Sequence, residues 1–238
     1  MKEKIIYVLK LIFSFLLFTY FSVIIAFVFK IFDIDVTKFG LLGKTLLNLF
    51  ISVFLTIILI ITYFNDLKKD FNEFKINWKS KVLFGLKLFG LFMLMKFLAS
   101  YVSVIISGIF NIEVTTSENQ NAINEILGQF PILMTFSAVC LAPIYEEILF
   151  RLGFKKCINN KWLFIIVSGT LFGLIHIFPT DLSLGVALTQ SITYVAMGLL
   201  LAYYYQKFDN IFYSILLHFY NNLLSIIFIF ITYIISLF

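Results

Sequence analysis

The stretch Pro131–Phe154, PILMTFSAVCLAPIYEEILFRLGF, decides how this chain is read. It is long and apolar enough to cross a bilayer, since about 20 residues at ~1.5 Å rise span the ~30 Å hydrocarbon core. Yet it carries Glu146, Glu147 and Arg151. Charged groups at that depth are costly unless they pair or perform chemistry, so each is a candidate functional residue. A spanning segment with charges near its middle predicts a membrane protein with an internal polar site.

The rest of the chain supports a membrane class. It has 238 residues, of which 61% are hydrophobic and 13% charged. Mean hydropathy is +1.02. Soluble domains carry about 25% charged residues, and a soluble core of this length has no room for 31 phenylalanines. Apolar segments are predicted at 5–29, 41–64, 82–110, 130–154, 162–178, 182–206 and 210–237. The expected fold is an all-α polytopic membrane protein of about seven transmembrane helices. A break at Asn221-Asn222 would make eight. The first segment is too long for a signal-peptide core and no small-residue cleavage pattern follows it, so it reads as the first span.

The net charge of +5 reads as topology rather than as a nucleic-acid surface. Lysines cluster in the N-terminal tail, in 65–81 and in 155–161, which share one side if the segments alternate. The 111–125 and 179–181 loops have no lysine or arginine, whereas 30–44 is an exception with Lys30, Lys38 and Lys44. The excess places the N-terminus in the cytoplasm. Trp78, Trp162 and the Tyr203–Tyr205 run then fall at the inner interface. Cys140 and Cys157 suggest no disulfide framework. The 111–125 loop, polar and rich in Asn, is expected to hold a short amphipathic piece before Pro131.

Few polar groups carry the chemistry. Glu146 and Glu147 are the acids well inside an apolar segment, Arg151 is the chain's one arginine, and His176 and His218 are its two histidines. Glu147 and Arg151 stand i,i+4 on one helix face and are expected to pair. Glu146 lies about 100° round the helix and stays free. Phe172 and His176 are i,i+4 on the next segment, and His218 and Asn222 are i,i+4 on the last. Three helices can thus aim a carboxylate, two imidazoles and an amide into one cavity. A carboxylate in low dielectric is a stronger base than in water, and an imidazole beside it can share a water's proton. A second imidazole and an amide NH₂ can donate to a developing oxyanion. The expected roles are Glu146 and His176 on the water, His218 and Asn222 as oxyanion donors, and Glu147, Arg151 and Phe172 as support. Glu146, His176 and His218 also make a His₂Glu set of the catalytic zinc type, although H-E-x-x-H is absent. A metal-free site and a zinc or other divalent-metal site therefore both stand, the metal-free one being preferred. Ser214, one turn before His218, is expected to bond back to its own helix.

Depth counts leave a tension. Glu146 and His218 lie ~12 Å from the inner ends of their segments, whereas His176 lies ~22 Å above Lys161. A tilted or sunken fifth helix would close the ~10 Å gap. By the same count Glu146 falls in the half nearer the N-terminal side, which favours access from there.

The motifs resemble those of the CAAX-protease and bacteriocin-processing (CPBP, or Abi) family. APIYEEILFRLGF (Ala142–Phe154) is similar to its E-E-x-x-x-R motif, FGLIH (Phe172–His176) to F-x-x-x-H, and HFYNN (His218–Asn222) to H-x-x-x-N. The resemblance implies a peptidase core over 122–238 within a single integral membrane domain (1–238), with variable helices over 1–121. It implies an intramembrane endopeptidase with Glu146, His176, His218 and Asn222 catalytic. Members of the family trim prenylated C-terminal tails in eukaryotes and are linked in bacteria to peptide maturation and bacteriocin self-immunity. The Phe-, Ile-, Lys- and Asn-rich composition resembles that of a low-GC bacterium, so the expected setting is a bacterial cell membrane. The implied partners are a peptide or membrane-protein substrate and the lipid bilayer, with no nucleic acid. The alternatives are a non-catalytic immunity or scaffold protein and, further off, an ion pathway.

Overall fold

The computed structural model describes residues 2–113, 115–178 and 180–235. The secondary structure among them is helical. Nine helices follow in order: α1 Lys2–Ile31, α2 Leu41–Thr62, α3 Phe64–Phe74, α4 Trp78–Ile109, α5 Glu118–Gln129, α6 Pro131–Cys157, α7 Lys161–Ile175, α8 Leu184–Phe208 and α9 Ile211–Ile235. Six of them (α1, α2, α4, α6, α8 and α9) are long and apolar enough to cross a membrane, and α7 is a shorter apolar helix. The chain is thus a multi-pass helical membrane protein.

Two differences from the expected segments have physical causes. The polar stretch 65–81 contains a helix, α3, because Phe64, Leu67, Phe71 and Phe74 recur at helical spacing and give it an apolar face. The Asn221-Asn222 pair does not break α9. Ser225 Oγ bonds back to Asn221 O, and both amides find side-chain or carbonyl partners, so neither competes with the ladder. The expected end of the last segment, at 237, lies outside the described residues. The 111–125 stretch does form a polar helix, α5, capped by Ser117, whose Oγ accepts from Gln120 N.

The two ends of the bundle are tied differently. At the N-terminal end, α3 docks under the α8–α9 turn. Asp70 is buried and its carboxylate accepts from Ile211 N at 2.9 Å, while Asn210 Nδ2 donates to Asp70 O. This end also holds the Lys156–Asp66 ion pair. At the opposite end, α5 is held by Ser117 against Tyr194, and by Glu118, which accepts from Thr180 Oγ1.

The core lies where α6, α7, α8 and α9 meet, with Ile148, Leu149, Phe150, Phe164, Phe172, Leu201 and Leu217 fully buried or nearly so. Half of the phenylalanines on α1, α2 and α4, Phe13, Phe27, Phe50, Phe54, Phe84 and Phe97, are exposed, as the lipid-facing sides of outer spans should be. The tightest contact is between α7 and α8. Gly169 and Gly173, one turn apart, and Gly198 let the two backbones touch. A Cβ at Gly169 would lie 2.6 Å from Leu199 N, one at Gly173 would meet the Val195 backbone, and one at Gly198 would meet Gly169 O. This is small-residue packing of membrane helices, in which close approach replaces hydrophobic driving force.

The close approach is testable. Gly173→Val should lower stability by about 1–3 kcal/mol through overpacking, read as thermal unfolding in detergent. Gly90→Ala, on the open face of α4 where an added Cβ meets nothing within 4 Å, should be neutral or slightly stabilising.

Candidate active site

The site is built at the middle of α6. Its regular stretch Ala142–Glu147 is flanked by two wide, π-type stretches, Phe136–Leu141 and Ile148–Gly153. Pro143 opens the regular stretch and has no N–H for the carbonyl one turn back, so the helix widens there rather than holding a strict ladder. The two glutamates that follow part company. Glu147 is fully buried and Glu146 is 8% exposed.

Glu147 anchors the site. Its Oε2 stands 3.0 Å from Arg151 Nε, a buried ion contact in which the N–H is not aligned on the oxygen. The guanidinium reaches α7, where Nη1 donates to Ser168 Oγ at 3.0 Å, and Ser168 Oγ donates to Phe150 O. Its other carboxylate oxygen, Oε1, meets His218 Nδ1 at 3.0 Å. The expected Glu147–Arg151 pair is therefore present, and it does more than staple a helix: it also orients a histidine on α9.

His176 caps the C-terminus of α7, and its Nδ1 lies 2.7 Å from Phe172 O. A carbonyl can only accept, so Nδ1 carries the proton and Nε2 presents a lone pair when the ring is neutral. His218 faces Glu147 in the same way. Both Nε2 atoms turn toward one atom, Glu146 Oε2, at 3.7 Å for His176 and 3.9 Å for His218. These distances are too long for direct hydrogen bonds. Glu146 Oε2 is buried and has no hydrogen-bond partner in the chain. With both rings neutral, three acceptors converge on a small space that only a donor can satisfy. Phe172 is the floor. Arg151 lies 4.5 Å from its ring centroid, and the rings of His176 and His218 pack on it at 4.6 and 5.6 Å.

Asn222 stands on the same wall of α9, with its Nδ2 donating to Ala138 O at 2.8 Å and its Oδ1 accepting from Asn221. Asn221 Oδ1 in turn accepts from Lys96 Nζ at 2.7 Å. A lysine only donates and a carbonyl only accepts, so the two ends of this chain fix both amides. The second N–H of Asn222 remains for the cavity. Ser214 Oγ bonds back to Ile211 O, as its helical setting predicts.

The structure therefore brings together all the residues expected from the sequence: Glu146, His176, His218 and Asn222 line one cavity of about 360 Å³, with Glu147, Arg151 and Phe172 behind it. The ~10 Å depth gap is absorbed. Extension of α6 to Cys157, three residues past the expected end, recovers about 4.5 Å, and the setting of the helices takes up the rest. Access is expected from the N-terminal side, whereas the cavity lining extends the other way. Gln120 and Ile123 of α5 complete the cavity wall, so it reaches toward the end opposite the N-terminus.

Two lining residues escaped the sequence reading. Lys96 was legible by the rule applied to the glutamates, since it is a charge inside an apolar segment. Tyr194 stacks on His176 at 5.2 Å, and nothing in its spacing marked it. As for a metal, the donor types suit one, and the Nδ1 bonds resemble the outer-shell contacts of metal-bound histidines. As arranged, however, no group of three or more His, Cys, Asp or Glu among the described residues stands at metal-holding geometry.

Comparison with known proteins agrees with the geometry. Residues 128–224 match the family described as Type II CAAX prenyl endopeptidase Rce1-like. The chain is 30% identical over 159 residues to UPF0177 protein YvdC of Lactococcus lactis subsp. lactis (strain IL1403), covering 64% of this chain and 55% of the relative. UPF0177 protein YbdI of the same strain is 35% identical over 91 residues, 38% of this chain and 45% of the relative. YxdF, likewise a UPF0177 protein of that strain, is 28% identical over 106 residues, 44% of this chain and 55% of the relative. The chain spans about half the length of the curated relatives it matches. No solved structure matches it. Fold and match together define a multi-pass helical membrane protein whose C-terminal half carries a segment similar to an Rce1-like endopeptidase domain.

The anchoring role of the ion pair can be measured. Glu147→Gln should destabilise the protein by about 3–5 kcal/mol, because it leaves Arg151 buried without a counter-charge. Glu147→Gln combined with Arg151→Met should recover much of that loss. A double-mutant cycle by thermal unfolding checks both.

Proposed function

We propose that this protein is an intramembrane endopeptidase that hydrolyses a peptide bond in a membrane-associated peptide or protein tail. The observation that carries the reading is the buried, unpartnered Glu146 Oε2 facing the Nε2 atoms of His176 and His218 at 3.7 and 3.9 Å across a cavity. Such a cavity can hold a water and part of a peptide, and hydrolysis needs both.

In this mechanism Glu146 and His176 hold the water through its two protons. His218 acts as an imidazolium. Its Nδ1–H is committed to Glu147, so only the protonated ring offers an Nε2–H to the cavity, and Glu147 balances that charge. Glu146 and Glu147 then balance Arg151 and His218, and the Lys96 ammonium on the cavity wall adds one positive charge. The water oxygen attacks the carbonyl carbon as Glu146 takes its proton. The carbonyl electron pair moves to oxygen, which accepts from His218 Nε2–H and from the free N–H of Asn222. When the electron pair returns, the C–N bond breaks and Glu146 passes its proton to the leaving nitrogen. General acid–base help of this kind is worth about 10²–10⁴-fold, and each oxyanion donor about 10²–10³-fold.

Helices within 1–121 serve in this reading as scaffold and 122–238 as the peptidase core. The setting is a bacterial cell membrane with the N-terminus in the cytoplasm, supported by the lysines at the α3 end. The cavity then opens toward the outer face. Peptide maturation is the favoured role, with bacteriocin self-immunity as one use of it.

The test compares membrane and secreted peptides, by mass spectrometry, between cells carrying the natural chain and Glu146→Gln. Specific cleavage products should disappear while the variant still inserts and unfolds at the same temperature. Unchanged products would end the reading. Purified protein should retain activity in strong chelator with no bound metal; loss of activity restored by a divalent metal would replace the water-only mechanism.

A further inference from the structure

Lys96 sits near the middle of α4, outside the region matched to the family. Its ammonium is half-buried and lines the same cavity as Glu146, His176, His218 and Asn222. It makes one hydrogen bond, to Asn221 Oδ1. Among the described residues no carboxylate lies within ion-pair distance of it. An ammonium has three N–H donors, so two remain for whatever enters. A cation at this depth is expected to pair with charge or serve a function, yet Glu147 is engaged by Arg151 and His218, and Glu146 Oε2 faces the two imidazoles rather than the lysine.

We infer that Lys96 is a specificity-determining residue that binds a carboxylate of the substrate. This rests on the peptidase reading for its setting. A single ammonium, with no arginine beside it to form a fork, suits a monoanion. Glu146 in the same cavity repels a dianion such as a phosphate monoester. The carboxylate is the monoanion that peptides carry, either at the C-terminus or on an Asp or Glu side chain. Through Asn221, the same lysine keeps the Asn222 amide turned so that one N–H reaches Ala138 O and the other is left for the cavity, and substrate charge and amide orientation meet at one residue.

The test is equilibrium binding to the full chain carrying Glu146→Gln, purified in detergent, so that nothing is consumed. The probes are one dansylated apolar tetrapeptide as the free acid, the same peptide as its C-terminal amide, and that amide with one internal residue replaced by glutamate. At least one carboxylate form should bind about ten- to a hundredfold tighter than the neutral amide, the ratio given by a charge-assisted hydrogen bond. The form that does so identifies the source of the carboxylate. Adding Lys96→Gln, which retains an N–H donor for Asn221, should abolish that preference and leave the Kd of the neutral peptide unchanged. Lys96→Arg should keep most of it and serves if the glutamine variant does not fold. Equal binding of all three probes, no measurable binding of any, or a preference that survives Lys96→Gln would overturn the assignment. A Lys96-dependent preference in a chain that, with Glu146 restored, cleaves none of the probes and changes no cellular peptide would instead leave the carboxylate site standing and remove the peptidase reading.

Discussion

The rest of the site depends on a fully buried ion pair. Glu147 and Arg151 are both 0% exposed, and the cost of burying them is met only because each also bonds elsewhere. Arg151 reaches Ser168 on α7, and Glu147 reaches His218 on α9. One pair on α6 therefore fixes two neighbouring helices in rotation as well as distance. Buried ion pairs often contribute little net stability against an apolar replacement. What this one contributes is direction: it holds the His218 ring so that Nε2 faces the cavity, and it packs its guanidinium on the phenylalanine against which both imidazoles rest.

Much of this was legible in the sequence because membranes make polarity expensive. In a chain where most spans are uniformly apolar, Glu146, Glu147, His176, His218 and Asn222 stand out individually, and helical spacing says which share a face. The same argument exposes Lys96, once a lysine in an apolar helix is treated as a possible functional group rather than as topology. Gly169-x-x-x-Gly173 was likewise visible as a close-packing pattern. Tyr194 was not, since an aromatic in an apolar helix has no distinguishing period. The direction of access was hidden for a different reason: it depends on α5, and sequence does not reveal where a short polar helix folds back. Segment counting misplaced the depth of His176 because span ends are soft and helices can be set at different heights.

The chemistry also constrains how the site divides its roles. Carbonyl and carboxylate partners occupy both Nδ1 atoms, so neutral imidazoles would surround Glu146 with acceptors and leave the Asn222 N–H as the one oxyanion donor of the proposed mechanism. The proposed mechanism gives the second donor role to His218, whose ring partner is the Glu147 carboxylate rather than a backbone carbonyl. His176, bonded only to Phe172 O, is the better acceptor for a water proton. The assignment of roles follows from what stands behind each ring.

The short α7 helix resolves a backbone problem and the site's geometry together. A helix that ends at Ile175 leaves its last carbonyls without partners at a depth where water is scarce, and broken backbone is tolerated there only beside a cavity or within protein. Three of the last four are nevertheless met: Phe172 O by the His176 ring, Gly173 O by His176 N, and Leu174 O by Ile177 N and Phe178 N. The imidazole that closes the helix end is thereby forced to hold its proton on Nδ1, which turns its lone pair to Glu146. Ending the helix at that depth and presenting an acceptor to the water are consequences of one hydrogen bond.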